Sequence, residues 1–490
     1  MSDLFTALVC CLAVAALVGT AEGLRRFLGV PTRLTRMLVH VASGAVAALA
    51  PWLFHQRWAP LTVALLAALL LRLAIRRGRL PALHSARPGS LGTVWFALSA
   101  ALLYLVAWDQ PPLVTLPLLV LAFADPAGML VGEGWERAPD RLDTKSLGGS
   151  VAVFLVAGLA VTLGWQALGL GGLGRALLVG LACAPVALAA EALADRGLDN
   201  LTLPLATAFT LLLVLGDWYA QPAALLAAEG LALLVAVAAV RWGLLTLDGA
   251  IGTFLLATWT LGGGGWAWTL PLLLFFLPAG LLSLRRERLR PESVAFTDKG
   301  ARRDLGQVAA NGGVPFLVFV AWTLGLPPAL AWPAFLGAVA AAAADTWATE
   351  IGIASGARPV LNTSGRRVPP GTSGGISPAG TAGAAVGALV VAASTLLLAP
   401  ARFTPALLPL AAAAPAGLMA SLVDSLMGAT LQAQYRCETC GEVTDRRRHC
   451  PPAEGVRVRG LSAISNDRVN LLASLVGAAL AVLLAGLWRR

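Results

Sequence analysis

Residues 341–352 read AAAADTWATEIG, which sets Asp345 and Glu350 in a stretch otherwise apolar enough to lie in lipid. A carboxylate at membrane depth is costly unless it is paired, metal-bound or wetted. Similar polar clusters recur at 302–313 (RRDLGQVAANGG), 371–381 (GTSGGISPAGT), 423–432 (VDSLMGATLQ) and 464–470 (ISNDRVN). Acidic residues, amides, arginines and a glycine loop together suit a polyanion held through a divalent cation. Carboxylates bind Mg²⁺, which takes phosphate oxygens as its remaining ligands. In the loop, Gly371, Thr372, Gly374, Gly375 and Ser377 offer backbone N–H groups that can approach phosphate closely, since glycine imposes no side chain. No GKS or GKT follows, so the loop is not a Walker A sequence. Arg302 and Arg303, with Arg366 and Arg367, suit neutralising charge on a transferring phosphoryl group. The chemistry indicated is phosphoryl transfer.

Helical geometry groups these residues. Arg303, Gln307 and Asn311 fall on one stripe, as do Asp424, Gly428 and Gln432, and Asn466 with Asn470. Asp345 and Glu350 do not, because five residues place them roughly 140° apart. They meet only if the helix loosens before Gly352; otherwise they serve different partners. Blander readings exist for each feature: a structural ion pair, a plain turn, or amides that glue helices together. Five clusters on one side of one half argue for a site.

The elements that must position them are membrane helices. The chain has 490 residues, 58% hydrophobic and 13% charged, which excludes a soluble domain of this size. About sixteen apolar runs are long enough to span, from 3–20 to 469–488. An all-α, polytopic integral membrane protein is expected, in two packed modules, 1–243 and 244–490. The net charge of +10 does not indicate nucleic acid, because most Lys and Arg lie in every second loop. The exceptions are Arg57, Arg175, Arg402, Arg489 and Arg490. This asymmetry puts the long polar loops in the cytoplasm and both termini outside. The first helix lacks a basic n-region and reads as a mature helix rather than a signal peptide. High Ala, Leu and Arg content with few Lys fits the cell membrane of a bacterium with a GC-rich genome.

The five motifs of 244–490, in that order, resemble the membrane family of unknown function 92, which includes transmembrane protein 19 and the plant phytyl-phosphate kinase. The resemblance implies a kinase that converts an isoprenyl monophosphate to the diphosphate. It singles out Gln307, Asn311, Asp345, Glu350, Asp424, Asn466 and Asn470. We assign Asp345 and Asp424 as Mg²⁺ ligands, Glu350 as a ligand or a partner of one, and the amides as phosphate contacts.

The first half is similar to the phytol and dolichol kinase family. RMLVHVASG (36–44), ADPAGMLVG (124–132), KSLGGS (145–150) and EALADRGLDNLTLPL (191–205) carry that similarity. It implies transfer of phosphate from CTP, or another nucleoside triphosphate, to a membrane isoprenoid alcohol such as phytol. On that reading Asp125, Asp199 and Glu191 hold metal, Lys145 and Asn200 bind phosphates, and His40 positions or deprotonates the alcohol. The half departs from the pattern at Met37, at Val120 to Ala122, and at Met129 and Leu130, losing one acidic residue.

The loop YRCETCGEVTDRRRHC (435–450) offers Cys437, Cys440, His449 and Cys450 as a structural zinc set, although adjacent His449 and Cys450 crowd one tetrahedron. A redox pair and an unliganded loop are the alternatives. Rivals to the kinase are a lipid or ion transporter, a CDP-lipid-forming cytidylyltransferase and a non-catalytic scaffold. The expected partners are the isoprenoid substrate and membrane lipid.

Overall fold

An apolar run in lipid has no water to satisfy its peptide groups, so each segment must close its own hydrogen bonds as a helix. The computed structural model describes residues 2–77, 90–135, 146–216, 221–289, 302–398, 407–450 and 454–488. They divide into two compact units, Met1–Ala227 and Ala228–Arg490. The first contains α1 (Asp3–Leu28), α2 (Thr32–Ala48), α3 (Ala50–Leu53), α4 (Trp58–Arg76), α5 (Gly92–Val106), α6 (Pro112–Trp135), α7 (Leu147–Ala167), α8 (Leu173–Ala192) and α9 (Asp199–Leu215). The division falls within α10 (Pro222–Arg241). The second contains α11 (Leu247–Gly264), α12 (Trp266–Leu289), α13 (Leu305–Thr323), α14 (Pro328–Ala354), α15 (Pro378–Ala393), α16 (Thr395–Leu398), α17 (Leu407–Thr430) and α18 (Asn466–Leu487). Among the described residues twelve helices are long and apolar enough to cross a membrane, and α5 and α9 are shorter apolar helices. The chain is an all-α polytopic membrane protein, as its composition implies.

Two small sheets are the other regular elements of the second unit. β1 (Val360–Leu361) pairs antiparallel with β2 (Gly375–Ile376), closing the loop that leads into α15. β3 (Gln434–Arg436), β4 (Val443–Thr444) and β5 (Val456–Arg459) form a sheet in the order β4-β3-β5 between α17 and α18.

Within the second unit, α14 is the hub. It packs against α12, α13, α15, α17 and α18, and residues 331–344 of it are all buried. The run Gly337 to Ala344 carries only small side chains apart from Val339, so neighbouring backbones can approach closely, as small residues permit in membrane bundles. The tightest approach is to α18, where a Cβ at Gly477 would lie 2.6 Å from the Gly337 carbonyl oxygen. At one end of these helices Trp268 of α12 packs against Trp322 (centroids 4.6 Å) of α13 and Phe335 (4.7 Å) of α14. The polar residues lie at the other end.

The Gly477 contact makes a stability prediction. Gly477→Leu overpacks the α14–α18 seam and costs about 1–3 kcal/mol, read as a lower thermal midpoint in detergent. Gly486→Leu, on the same helix with nothing within 4 Å, leaves the midpoint unchanged.

Candidate active site

The C-terminal ends of α12, α14 and α17 meet the N-terminal ends of α13, α15 and α18 around one polar cavity of about 220 Å³. Local sequence sets several of these ends. Asp304 caps α13, accepting the Gln307 N–H (2.9 Å), while Gln307 Oε1 accepts the Asp304 N–H (3.2 Å); this is a capping box. Ser377 caps α15 by accepting the Gly380 N–H at 3.1 Å.

The cavity gathers most of what the sequence singles out. Gln307, Asn311, Asp345, Glu350, Asp424, Asn466 and Asn470 all line it. So do Arg303 and the loop residues Gly371, Thr372, Gly374, Gly375 and Ser377. Gly374 is at φ +84, and a Cβ there would meet Ala429 Cα at 2.6 Å, so this wall of the cavity admits only glycine. Arg302 stands outside the lining and is exposed, as are Arg366 and Arg367. The arginine chemistry expected of Arg302 therefore does not reach the cavity. Its neighbour Arg303 does, stacked 5.3 Å over the Phe275 ring. Burial pulls the Arg303 guanidinium down to about 10, against the opposing charge of Glu350; it stays charged at neutral pH.

The two carboxylates of α14 separate, because the helix runs regularly through both. Glu350 turns to α12: Ser283 Oγ donates to its Oε1 at 2.7 Å and Arg286 Nε to its Oε2 at 2.7 Å. Both of its oxygens are thus engaged by protein side chains. Asp345 turns instead to Asp424 of α17, close enough for the side chains to interact. Among the described residues, Asp424 Oδ2 is buried without a hydrogen-bond partner. Facing carboxylates repel unless a proton or cation lies between them. An orphaned buried oxygen beside a second carboxylate is what a hard divalent cation such as Mg²⁺ requires, so the residues fit that ion.

A second cavity, about 100 Å³, lies between α10, α11, α12 and α13 and is lined almost wholly by apolar groups, among them Leu256, Ala257, Leu273 and Phe276. Arg303, Gln307 and Asn311 line both cavities. A charged compartment and an oily one thus share a border.

In the first unit the structure sets His40 against Asp125, with Nε2 3.7 Å from Oδ2. His40 Nε2 is also 3.0 Å from the Leu121 carbonyl oxygen. Asn200 is buried beside Asp199, its Nδ2 donating to Oδ1 at 3.2 Å. Glu191 is buried at the end of α8. Lys145 lies outside the described residues. In the second unit the ligand atoms of Cys437, Cys440, His449 and Cys450 lie within 4.8 Å of one another.

Arg286 is one of the cavity residues that sequence reasoning missed, with Ser283 and Asp445. It sits in RRERL (285–289), where it reads as one more basic residue of a loop, yet it is only 2% exposed. Nothing local distinguishes it from Arg285 or Arg288, since its burial comes from the packing of α12 on α14.

Residues 230–478 match the family model described as Integral membrane protein DUF92. A phytol kinase of Synechocystis sp. is 32% identical over 199 residues, 40% of this chain and 85% of that protein. Protein PGR of Arabidopsis thaliana is 29% identical over 259 residues, 47% of this chain and 86% of that protein. No solved structure matches the chain.

The ion pair yields a test of its own. Arg286→Met leaves a buried carboxylate unpaired and costs about 3–5 kcal/mol. Adding Glu350→Gln to it restores most of the loss in thermal unfolding.

Proposed function

The chain belongs to the DUF92 family of integral membrane proteins and is similar to a phytol kinase over part of its length, and from that premise we propose that it is a membrane isoprenoid kinase with two active modules, 1–243 and 244–490. The second converts an isoprenyl monophosphate of the phytyl or geranylgeranyl type to the diphosphate. The first phosphorylates the corresponding alcohol. Both use a nucleoside triphosphate, CTP by preference, with Mg²⁺, at the cytoplasmic face.

One observation carries the reading: the polar cavity and the apolar cavity of the second unit meet at Arg303, Gln307 and Asn311. A lipid phosphate has the same two-part character. Its prenyl chain suits the groove of Leu256 and Phe276, and its phosphate suits the amides and guanidinium at the border. The glycine loop, with Asn466 and Asn470 of the same cavity, then faces the donor's phosphates. Asp345 and Asp424 would hold Mg²⁺, which when bound offsets negative charge on the phosphoryl oxygens.

The acceptors explain a difference between the units. A monophosphate oxygen is already anionic and attacks the γ-phosphorus without losing a proton; the bond to the β–γ bridging oxygen breaks and the nucleoside diphosphate leaves. Among the described residues no histidine lines the second unit's polar cavity, and none is needed. An alcohol must give up a proton, and the first unit offers His40. When Nε2–H donates to the Leu121 carbonyl, Nδ1 is the nitrogen left to accept that proton, and Asp125 would hold Mg²⁺ with Asp199 and Glu191.

The test uses purified membranes, labelled CTP or ATP, and phytyl phosphate or phytol as acceptor. Asp345→Asn lowers diphosphate formation by about 100-fold or more and spares monophosphate formation from phytol. His40→Ala does the reverse, by about 100-fold. Absence of transfer with every donor and acceptor sinks the kinase and favours a transporter. A nucleotide-lipid with release of pyrophosphate assigns a cytidylyltransferase instead.

A further inference from the structure

The Cys/His loop lies apart from the reacting groups, yet its side chains reach the wall of the polar cavity. We propose that Cys437, Cys440, His449 and Cys450 bind one structural zinc ion, and that the zinc-closed hairpin positions the glycine loop through Asp445.

The donor set comes first. Three thiols and an imidazole converge, with His449 Nδ1 3.4 Å from both Cys440 Sγ and Cys450 Sγ. Tetrahedral zinc with sulfur at about 2.3 Å and nitrogen at about 2.0 Å places such atoms about 3.5 Å apart. By presenting Nδ1, the nitrogen on the shorter arm, His449 fits beside its sequence neighbour Cys450. Backbone N–H groups of Cys440 and Thr439 point at the Cys437 sulfur, and Gly441 makes the turn at φ +77. A closed set of four protein ligands leaves no position for water or substrate, which makes the site structural.

The hairpin needs such a staple. β3 has three residues and β4 two, far below what holds a hairpin together in water. Cys437 directly follows β3 and Cys440 precedes β4, so a metal there closes the turn.

The grip on the cavity comes next. Immediately after β4, Asp445 Oδ2 accepts the Ser373 hydroxyl at 2.7 Å, and Oδ1 accepts Gln434 Nε2 of β3 at 3.3 Å. Arg459 of β5 donates to the Ser373 carbonyl at 3.2 Å and to the Gly428 carbonyl at 3.1 Å. Ser373 lies in the loop between Thr372 and Gly374, all three lining the cavity. The loop is thus held on its outer side by a sheet whose own geometry depends on the metal. Asp445 is a positioning residue here. The zinc site stands on its own geometry; its value to catalysis rests on the kinase reading.

The experiment takes the purified full-length protein and reads metal content and amide hydrogen exchange, neither of which requires kinase activity. The wild type is expected to hold one zinc per chain. Cobalt(II) in its place gives the charge-transfer absorption of thiolate ligands. Cys440→Ser loses the zinc, and exchange across 371–376 speeds up about tenfold, the equivalent of losing one or two hydrogen bonds. Cys440→His, which keeps a ligand, restores both. Asp445→Asn retains the zinc yet shows the same faster exchange in 371–376, which separates the link from the fold of the hairpin. A zinc-free wild type, or one with a Cys437–Cys440 disulfide, overturns the metal site. Unchanged exchange in 371–376 after zinc loss, or in Asp445→Asn, overturns the positioning role.

Discussion

The close approach of α14 to its neighbours is the constraint on which the second unit rests. A helix reaches five others only if its own side chains are small, and the run from Gly337 to Ala344 supplies that surface. Dispersion between tightly apposed backbones, rather than a hydrophobic drive that lipid would weaken, then holds the bundle. The same packing forces the polar ends of six helices toward one point. Asp345 lies one residue beyond the alanine run, where the seam opens into the cavity.

Burial at that point is costly for charge, and the structure offsets it in two ways. Glu350 is neutralised locally, by Arg286 at 2.7 Å and by the Ser283 hydroxyl. In the Asp345–Asp424 pair, an oxygen of Asp424 is buried and without a hydrogen-bond partner among the described residues. The contrast assigns different work to two carboxylates that look alike in the sequence. Glu350 binds a guanidinium; Asp345 faces a second carboxylate. Arg303, stacked on aromatic rings at the border of the apolar groove, joins the charged compartment to the oily one.

The hairpin between α17 and α18 illustrates a related economy of means. A loop rich in glycine has few side chains of its own to pack. Its rigidity has to come from outside, through Ser373, Asp445 and Arg459.

By itself the sequence determined the fold class, the approximate positions of most helices, and many of the residues that line the polar cavity. The physical reason is that lipid leaves a chain so few options: apolar runs must be helices, and a polar residue within them must have a partner or a task. Tertiary structure decided which task. Asp345 and Glu350 point to different helices because α14 stays regular, a choice the sequence left open. Arg286 became a cavity residue because α12 packs on α14, while Arg302 stays exposed beside the buried Arg303. Adjacent His449 and Cys450 converge with Cys437 and Cys440 because the β3–β4 hairpin folds back. Partner choice depends on the positions of several helices at once, and no local pattern encodes that.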